Sequence, residues 1–202
     1  AIGSQLLLSQ PRKTLDVPSL ATDGSRLSSE FRLHRSVLLI LGGTGIVAAP
    51  QVLYHTDPAT SFGTSATGYQ KPPLTSPVSL IYSCRRDDVL MAGELAKWCA
   101  ADAGRARLQR CVLAVSPPGE DAAIYPAEAA PAESLDALRA LPNASVVDSR
   151  LTQELLEREL APLRELGPCR VVVSGPEAFN GAVKEMLKSS GVAAEAVTIL
   201  SA

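Results

Sequence analysis

The chain reads as an α/β domain built on an open parallel sheet of about five strands flanked by helices. Three observations predict this. The runs Val37-Leu-Leu-Ile-Leu41 and Val171-Val-Val173 are continuously apolar, as strands covered on both faces must be. Candidate strands alternate with helical stretches, which calls for crossover connections and parallel pairing. Both apolar runs empty into glycine-bearing turns, Gly42-Gly-Thr-Gly45 and Ser174-Gly-Pro176, at the carboxyl ends where open α/β sheets bind ligands. A length of 202 residues suits one well-filled domain, or one domain plus a fragment of another.

Taken in order, residues 5–9 form a short strand, and Pro11 turns the chain into an irregular polar stretch to about residue 35. The strand 37–41 follows. A helix starts near Ile46 and runs to about His55, with Pro50 tolerated only in its first turn. Residues 56–77, rich in Pro, Gly, Ser and Thr, form a long loop. Residues 78–83 make the second strand. Asp87 or Asp88 can cap a helix from 89 to about 103, with Gly104 just past its end. A third strand spans 108–115 and is broken by Pro117-Pro-Gly119; residues 122–131 read as a solvated insert. A short helix around 135–141 and a weak strand at 145–147 come next. Thr152 can cap a helix through 166, which Pro162 should kink or split. Residues 170–173 form a strand, 177–190 a helix stopped by Gly191, and 197–200 a last strand. There is no internal repeat.

Composition excludes several classes of function. The net charge is −2, the basic residues are dispersed and aromatics make up only 4 %, so neither a nucleic-acid footprint nor a base-stacking surface is present. No apolar stretch is long enough to span a bilayer. The amino terminus lacks the basic flank and apolar core of a signal peptide. Beginning with Ala rather than Met, the chain reads as a processed product or a part of something longer. Cys84, Cys99, Cys111 and Cys169 are widely spaced with no C-x-x-C pair, and His34 and His55 are the only histidines, so no metal site is expected. These cysteines read as buried free thiols of a reducing intracellular compartment, the cytosol or an organelle interior.

The chemistry concentrates at strand ends. Gly42-Gly43-Thr44-Gly45 can present backbone N–H groups and a helix N-terminus to a pyrophosphate, because glycine permits close approach and positive φ. A tight strand–helix turn with no ligand fits the tetrapeptide equally well. It lacks the G-x-G-x-x-G spacing, and no P-loop lysine follows. Arg85 and Arg86, at the end of the second strand, could pair with a phosphate, although a solvated surface role explains either one alone. With two histidines, one before the first strand and one at a helix end, no nucleophile–His–Asp grouping can be drawn.

Gly42-Gly-Thr-Gly-Ile46 behind an apolar strand, together with Gly175-Pro176 far downstream, resembles the pyridine-nucleotide half of the ferredoxin–NADP reductase superfamily, which includes cytochrome b5 reductase-like proteins. The resemblance covers roughly residue 37 to the C-terminus, with a faint extension upstream. It implies a Rossmann-like domain for NADH or NADPH in which Gly42, Gly43, Thr44, Gly45 and Ile46 lie against the nucleotide. Gly175 and Pro176 would close the site. The family's cysteine, beside the nicotinamide carbon that passes hydride to flavin, is here Ser174, the candidate catalytic residue; its methionine is Phe179. Arg85 and Arg86 occupy the place that reads the adenosine part. Ser116 matches the serine of a Ser-Arg pair that holds a 2′-phosphate, but Pro117 replaces the arginine, which favours NADH. The proline after the first turn, Pro50, comes two places later than in the family.

No Arg-x-Tyr-Ser/Thr flavin segment occurs, whereas residues 3–11 resemble the last strand and turn of the family's flavin domain. The resemblance therefore implies that residues 1–35 are the end of a flavin-type domain and its linker, and 36–202 the NAD(P)H-binding domain. FAD would be held by a missing domain or a partner flavoprotein. Two functions follow: a module passing hydride from NAD(P)H to that FAD, or a catalytically weak domain serving as a structural or assembly subunit of a larger complex. The second draws on Ser174, on the missing flavin domain and on two long inserts, residues 56–77 and 117–131.

Overall fold

The computed structural model describes residues 35–53, 76–100, 108–117 and 132–201. Six strands form one sheet: β1 (Ser36–Gly42), β2 (Val78–Arg85), β3 (Arg110–Ser116), β4 (Ala144–Val147), β5 (Cys169–Gly175) and β6 (Val197–Ser201). Their order is β4-β3-β2-β1-β5-β6, and every neighbouring pair is parallel. The sheet thus has six strands where the sequence predicted about five. The weak strand is real: β4 pairs with β3 from Ala144 beside Cys111 to Val147 beside Ala114.

Alternation along each strand splits the core in two. Leu39, Leu41, Leu80, Tyr82, Cys111 and Leu113 face α1 (Ala49–Leu53), α2 (Ala92–Cys99) and α3 (Ala132–Arg139). Leu38, Ile40, Ile81, Val112, Val171 and Val173 face α4 (Gln153–Leu166) and α5 (Glu177–Ser189). The chain steps outward from β1 to β4, then jumps back across β1 to β5. Crossovers of one hand place helices on opposite faces when the direction of travel reverses, and that is the arrangement seen.

Several expected boundaries move. The chain leaves β1 through a 3-10 turn, Gly43–Ala48, before α1 begins, so Pro50 falls in the first turn of α1, where its missing donor is harmless. Neither Asp87 nor Asp88 caps α2. Its N-cap is Met91, left-handed at φ 58° and without a side-chain cap, while the Leu90 N–H goes to the Tyr82 hydroxyl at 3.3 Å. The same helix ends at Cys99 rather than near 103, because Ala100 is already extended. The short helix predicted at 135–141 runs from Ala132 to Arg139.

Thr152 does cap α4, accepting from the Leu155 N–H at 3.2 Å. Pro162 does not split it. The proline is on the exposed side, so the carbonyl it leaves unpaired can turn to water while Leu155, Leu156, Leu160 and Leu163 hold the buried side. Gly191, at φ +71°, stops α5 as expected, and the Val192 N–H closes back on the Leu187 carbonyl at 3.0 Å. Among the described residues no helix is long and apolar enough to cross a membrane. The predicted strand 5–9, His34, His55, most of the loop 56–77 and the insert 122–131 lie outside the described residues.

Candidate functional site

The strand order reverses its direction of travel between β1 and β5, which makes their carboxyl ends the topological switch point where such sheets open a crevice. Register sets the two glycine turns side by side there. Leu41 pairs with Ser174, so Gly42 and Gly175 are the next neighbours.

The turns are packed backbone to backbone. A Cβ built on Gly45 would lie 2.1 Å from the Ser174 carbonyl oxygen and 2.8 Å from the Gly175 nitrogen. The ring of Phe179, from the first turn of α5, covers the other two glycines, coming within 2.7 Å of a Cβ on either Gly42 or Gly175. Only glycine fits at these three places. Gly43 is different. It is left-handed at φ +51°, and a Cβ there would meet nothing within 4 Å. Gly43 and the exposed Thr44 therefore form the open lip of the first turn, whereas the Ile46 side chain is fully buried and anchors the turn in the core.

On the second turn, Ser174 is only 7 % exposed and Pro176 is exposed as the N-cap of α5. Asn180 is the residue the sequence reading missed. Its Nδ2 donates to the Gly175 carbonyl at 2.9 Å and to the Leu200 carbonyl at 3.2 Å, tying the turn to the end of β6. The available signal was its position four residues after Pro176, where a first-turn side chain of α5 folds back on the strand end. Glu177 adds a negative charge at that helix N-terminus, which disfavours an anion there and leaves the Gly43–Thr44 lip as the more receptive side.

The ends of β2 and β3 lie next to this crevice, with Gly42 paired to Ser83. Ser116 donates its hydroxyl to the Cys84 carbonyl at 3.3 Å and its carbonyl accepts the Arg86 N–H at 2.9 Å, so it laces the two strand ends together. Both arginines already face carboxylates. Arg85 Nε stands 3.5 Å from Asp87 Oδ1, and Arg86 bonds Asp148, just beyond β4, which Arg139 also approaches at 3.9 Å. The Arg86–Asp148 pair is exposed and of small individual worth, so a bound phosphate could displace it, whereas the Asp87 carboxylate beside Arg85 is largely covered. Cys84 is no nucleophile here, since burial and then Asp88 push its thiol up to about 12. Among the described residues no group of His, Cys, Asp and Glu could hold a metal ion.

The structure thus brings Gly42, Gly43, Thr44, Gly45, Ser174, Gly175 and Pro176 to one crevice, and sets Arg85, Arg86 and Ser116 along its flank, the arginines one strand away and Ser116 two. No family model matches the chain, and no curated protein matches it. Solved structures do. The CS-b5R domains of human Ncb5or, in an NAD+ form, align over 88 % of this chain with 16 % identity and a TM-score of 0.50. Ferredoxin-NADP+ reductase from Plasmodium falciparum aligns over 99 % of this chain and 60 % of its own, with 11 % identity and a TM-score of 0.43. This chain spans only 40 % of the human structure. At such identity the likeness is one of fold, and at that level it agrees with the ferredoxin reductase-type domain that the glycine turns resemble.

Proposed function

We propose that this chain is the pyridine-nucleotide-binding module of a flavin-dependent oxidoreductase, with residues 36–202 as the NAD(P)H-binding domain and 1–35 as the end of a flavin-type domain. The observation that carries the reading is the pairing of the two turns at the switch point, closed on each other at Gly45 and open at Gly43. The pyrophosphate of NADH or NADPH would rest against the backbone of Gly42–Gly45. The nicotinamide would approach Ser174 and Gly175, and the adenosine part the ends of β2 and β3. Hydride would pass to an FAD held outside this domain, by a flavin domain or a partner flavoprotein. The pairing of Arg86 with Asp148 and the loss of the family's arginine at Pro117 both favour NADH. Free thiols in the core fit a reducing compartment.

Two features support the second reading, a catalytically weak domain used as an assembly subunit. Ser174 is nearly covered, and Phe179 fills space over both strand-end glycines. Calorimetry with NADH and NADPH separates the two. Millimolar or tighter binding that weakens in Gly43→Val, with folding intact, supports the module; no binding of either nucleotide transfers the case to the scaffold.

A further inference from the structure

Asp148 lies one residue beyond β4, at the carboxyl edge of the sheet. Val147 pairs with Ala114, which sets Asp148 beside the last residues of β3 and close to Ser116. Two guanidinium groups from different elements converge on one of its oxygens. Arg86, just past β2, bonds Asp148 Oδ1, and Arg139, in the last turn of α3, brings its Nη2 to within 3.9 Å of the same atom. The other arm of Arg139 donates to Asp136 Oδ1 at 2.9 Å. Two cations thus meet two carboxylates, and the cluster is formally neutral.

The course of Arg86 ties this cluster to the crevice. Its backbone N–H donates to the Ser116 carbonyl at 2.9 Å, so its main chain is fastened to the end of β3. Its side chain then reaches Asp148 beyond β4, which takes it across the end of β3. The Asp148 side chain is 59 % exposed and that of Arg86 49 %, so a nucleotide can reach both.

We propose that Asp148 selects NADH over NADPH by reading the 2′ position of the adenosine ribose. The inference rests on the module reading above, which lays the adenosine part along the ends of β2 and β3. A 2′-hydroxyl is a donor, and the Asp148 carboxylate accepts it in a charge-assisted hydrogen bond. A 2′-phosphate instead carries about two negative charges at neutral pH. Arg86 and Arg139 have the geometry for it, but both already neutralise carboxylates. A phosphate that drew Arg86 away would leave the Asp148 charge beside its own, and like charges at such range repel. Attraction for the hydroxyl and repulsion of the phosphate come from one side chain, so the preference has a positive and a negative part. In Asp148→Asn the side chain keeps its size, while Arg86 and Arg139 face one carboxylate, Asp136, in place of two.

Calorimetry on the full chain at low ionic strength, with NADH and NADPH as the probes, tests this. The unaltered chain should bind NADH about tenfold more tightly than NADPH, or better. Asp148→Asn should weaken NADH and strengthen NADPH, moving their ratio by about tenfold or more. Asp148→Ser, which removes the carboxylate without adding an amide, should shift the ratio the same way. The gain for NADPH should fade as salt is added, because exposed charges are screened, and should vanish when Arg86→Gln is combined with Asp148→Asn. Thermal melts of these surface variants should match that of the unaltered chain. Equal affinities or a preference for NADPH in the unaltered chain, a ratio that neither Asp148 variant moves, or a gain that survives the loss of Arg86 would each overturn the proposal and leave the module reading standing. Binding of neither nucleotide by the unaltered chain would overturn the module reading, and this inference with it.

Discussion

Gly43 and Gly45 stand in the same turn, and the sequence treats them alike, as places where a phosphate needs bare backbone. The structure separates them. Gly45 is closed by the Ser174 peptide, so Gly45→Ala forces a Cβ into a backbone oxygen and is expected to cost about 3 kcal/mol or more of folding stability, read by urea unfolding. Gly43→Ala meets open space and bears only the left-handed penalty, about 1 kcal/mol, so the fold should survive and any loss of nucleotide affinity there reports on binding. Equal destabilisation by the two changes would contradict this division of roles. Ser174 carries a second test at this scale. Ser174→Cys restores the residue of the resembled family, and in a working hydride-transfer site it should raise turnover with an added flavoprotein while leaving nucleotide affinity nearly unchanged, since such a contact acts on the chemical step. Stopped-flow flavin reduction reads the effect, and a large loss of turnover would point to a role of the hydroxyl that neither reading assigns.

Helix α4 is where element-level rules are most directly testable. Pro162 deletes one backbone donor from an exposed helix interior, so Pro162→Ala should restore a hydrogen bond to the Arg158 carbonyl and stabilise the chain by about 1–2 kcal/mol, after the greater freedom of the unfolded chain is subtracted. An unchanged or lower denaturation midpoint would mean that this turn is already adapted to the proline. Its N-terminus should also respond to acid. Glu154, in the first turn, is held below its ordinary value of 4.5 by a backbone N–H and Thr152, and Glu157 is lowered by Ser190 and Arg164. A depressed carboxylate stabilises fully above its unfolded value and loses that contribution as pH falls through its folded value. Stability should therefore decline below about pH 4.5, and Glu154→Gln should flatten that limb of the profile. What the sequence disclosed at this scale follows the same physics. Strands buried on both faces announced themselves as apolar runs, and Thr152 and Gly191 marked their helix ends through local chemistry. The start of α2 was hidden, because Tyr82 claims the Leu90 N–H from across the fold and a left-handed Met91 stands where an aspartate cap was expected. The edge strand β4 was faint because only four residues pair, and three of them are merely half-buried.

At the scale of the whole molecule, the glycine turns were legible as motifs, but their meeting was not, since it depends on the jump from β4 back to β5 across the switch point. The same is true of Asn180 and Asp148, whose roles arise only once β6 and β4 take their places in the sheet. That architecture carries a consequence for activity. If the crevice takes a hydride donor as proposed, the flavin that receives the hydride is held outside residues 36–202. The purified chain is therefore expected to be colourless, to bind NADH, and to leave it reduced indefinitely. Adding a flavoprotein partner or the matching flavin domain should start oxidation of the bound nucleotide, with a rate that saturates in partner and falls in Gly43→Val. An absorbance scan and a nucleotide-oxidation trace with and without that partner decide the matter. A stoichiometric flavin band in the chain as purified, with NADH consumed unaided, would place the acceptor site within these 202 residues and move the domain boundary drawn at residue 35. Binding without oxidation even after the partner is supplied would leave the nucleotide as a structural ligand, and the module as a scaffold that has kept the fold of a reductase but not its reaction.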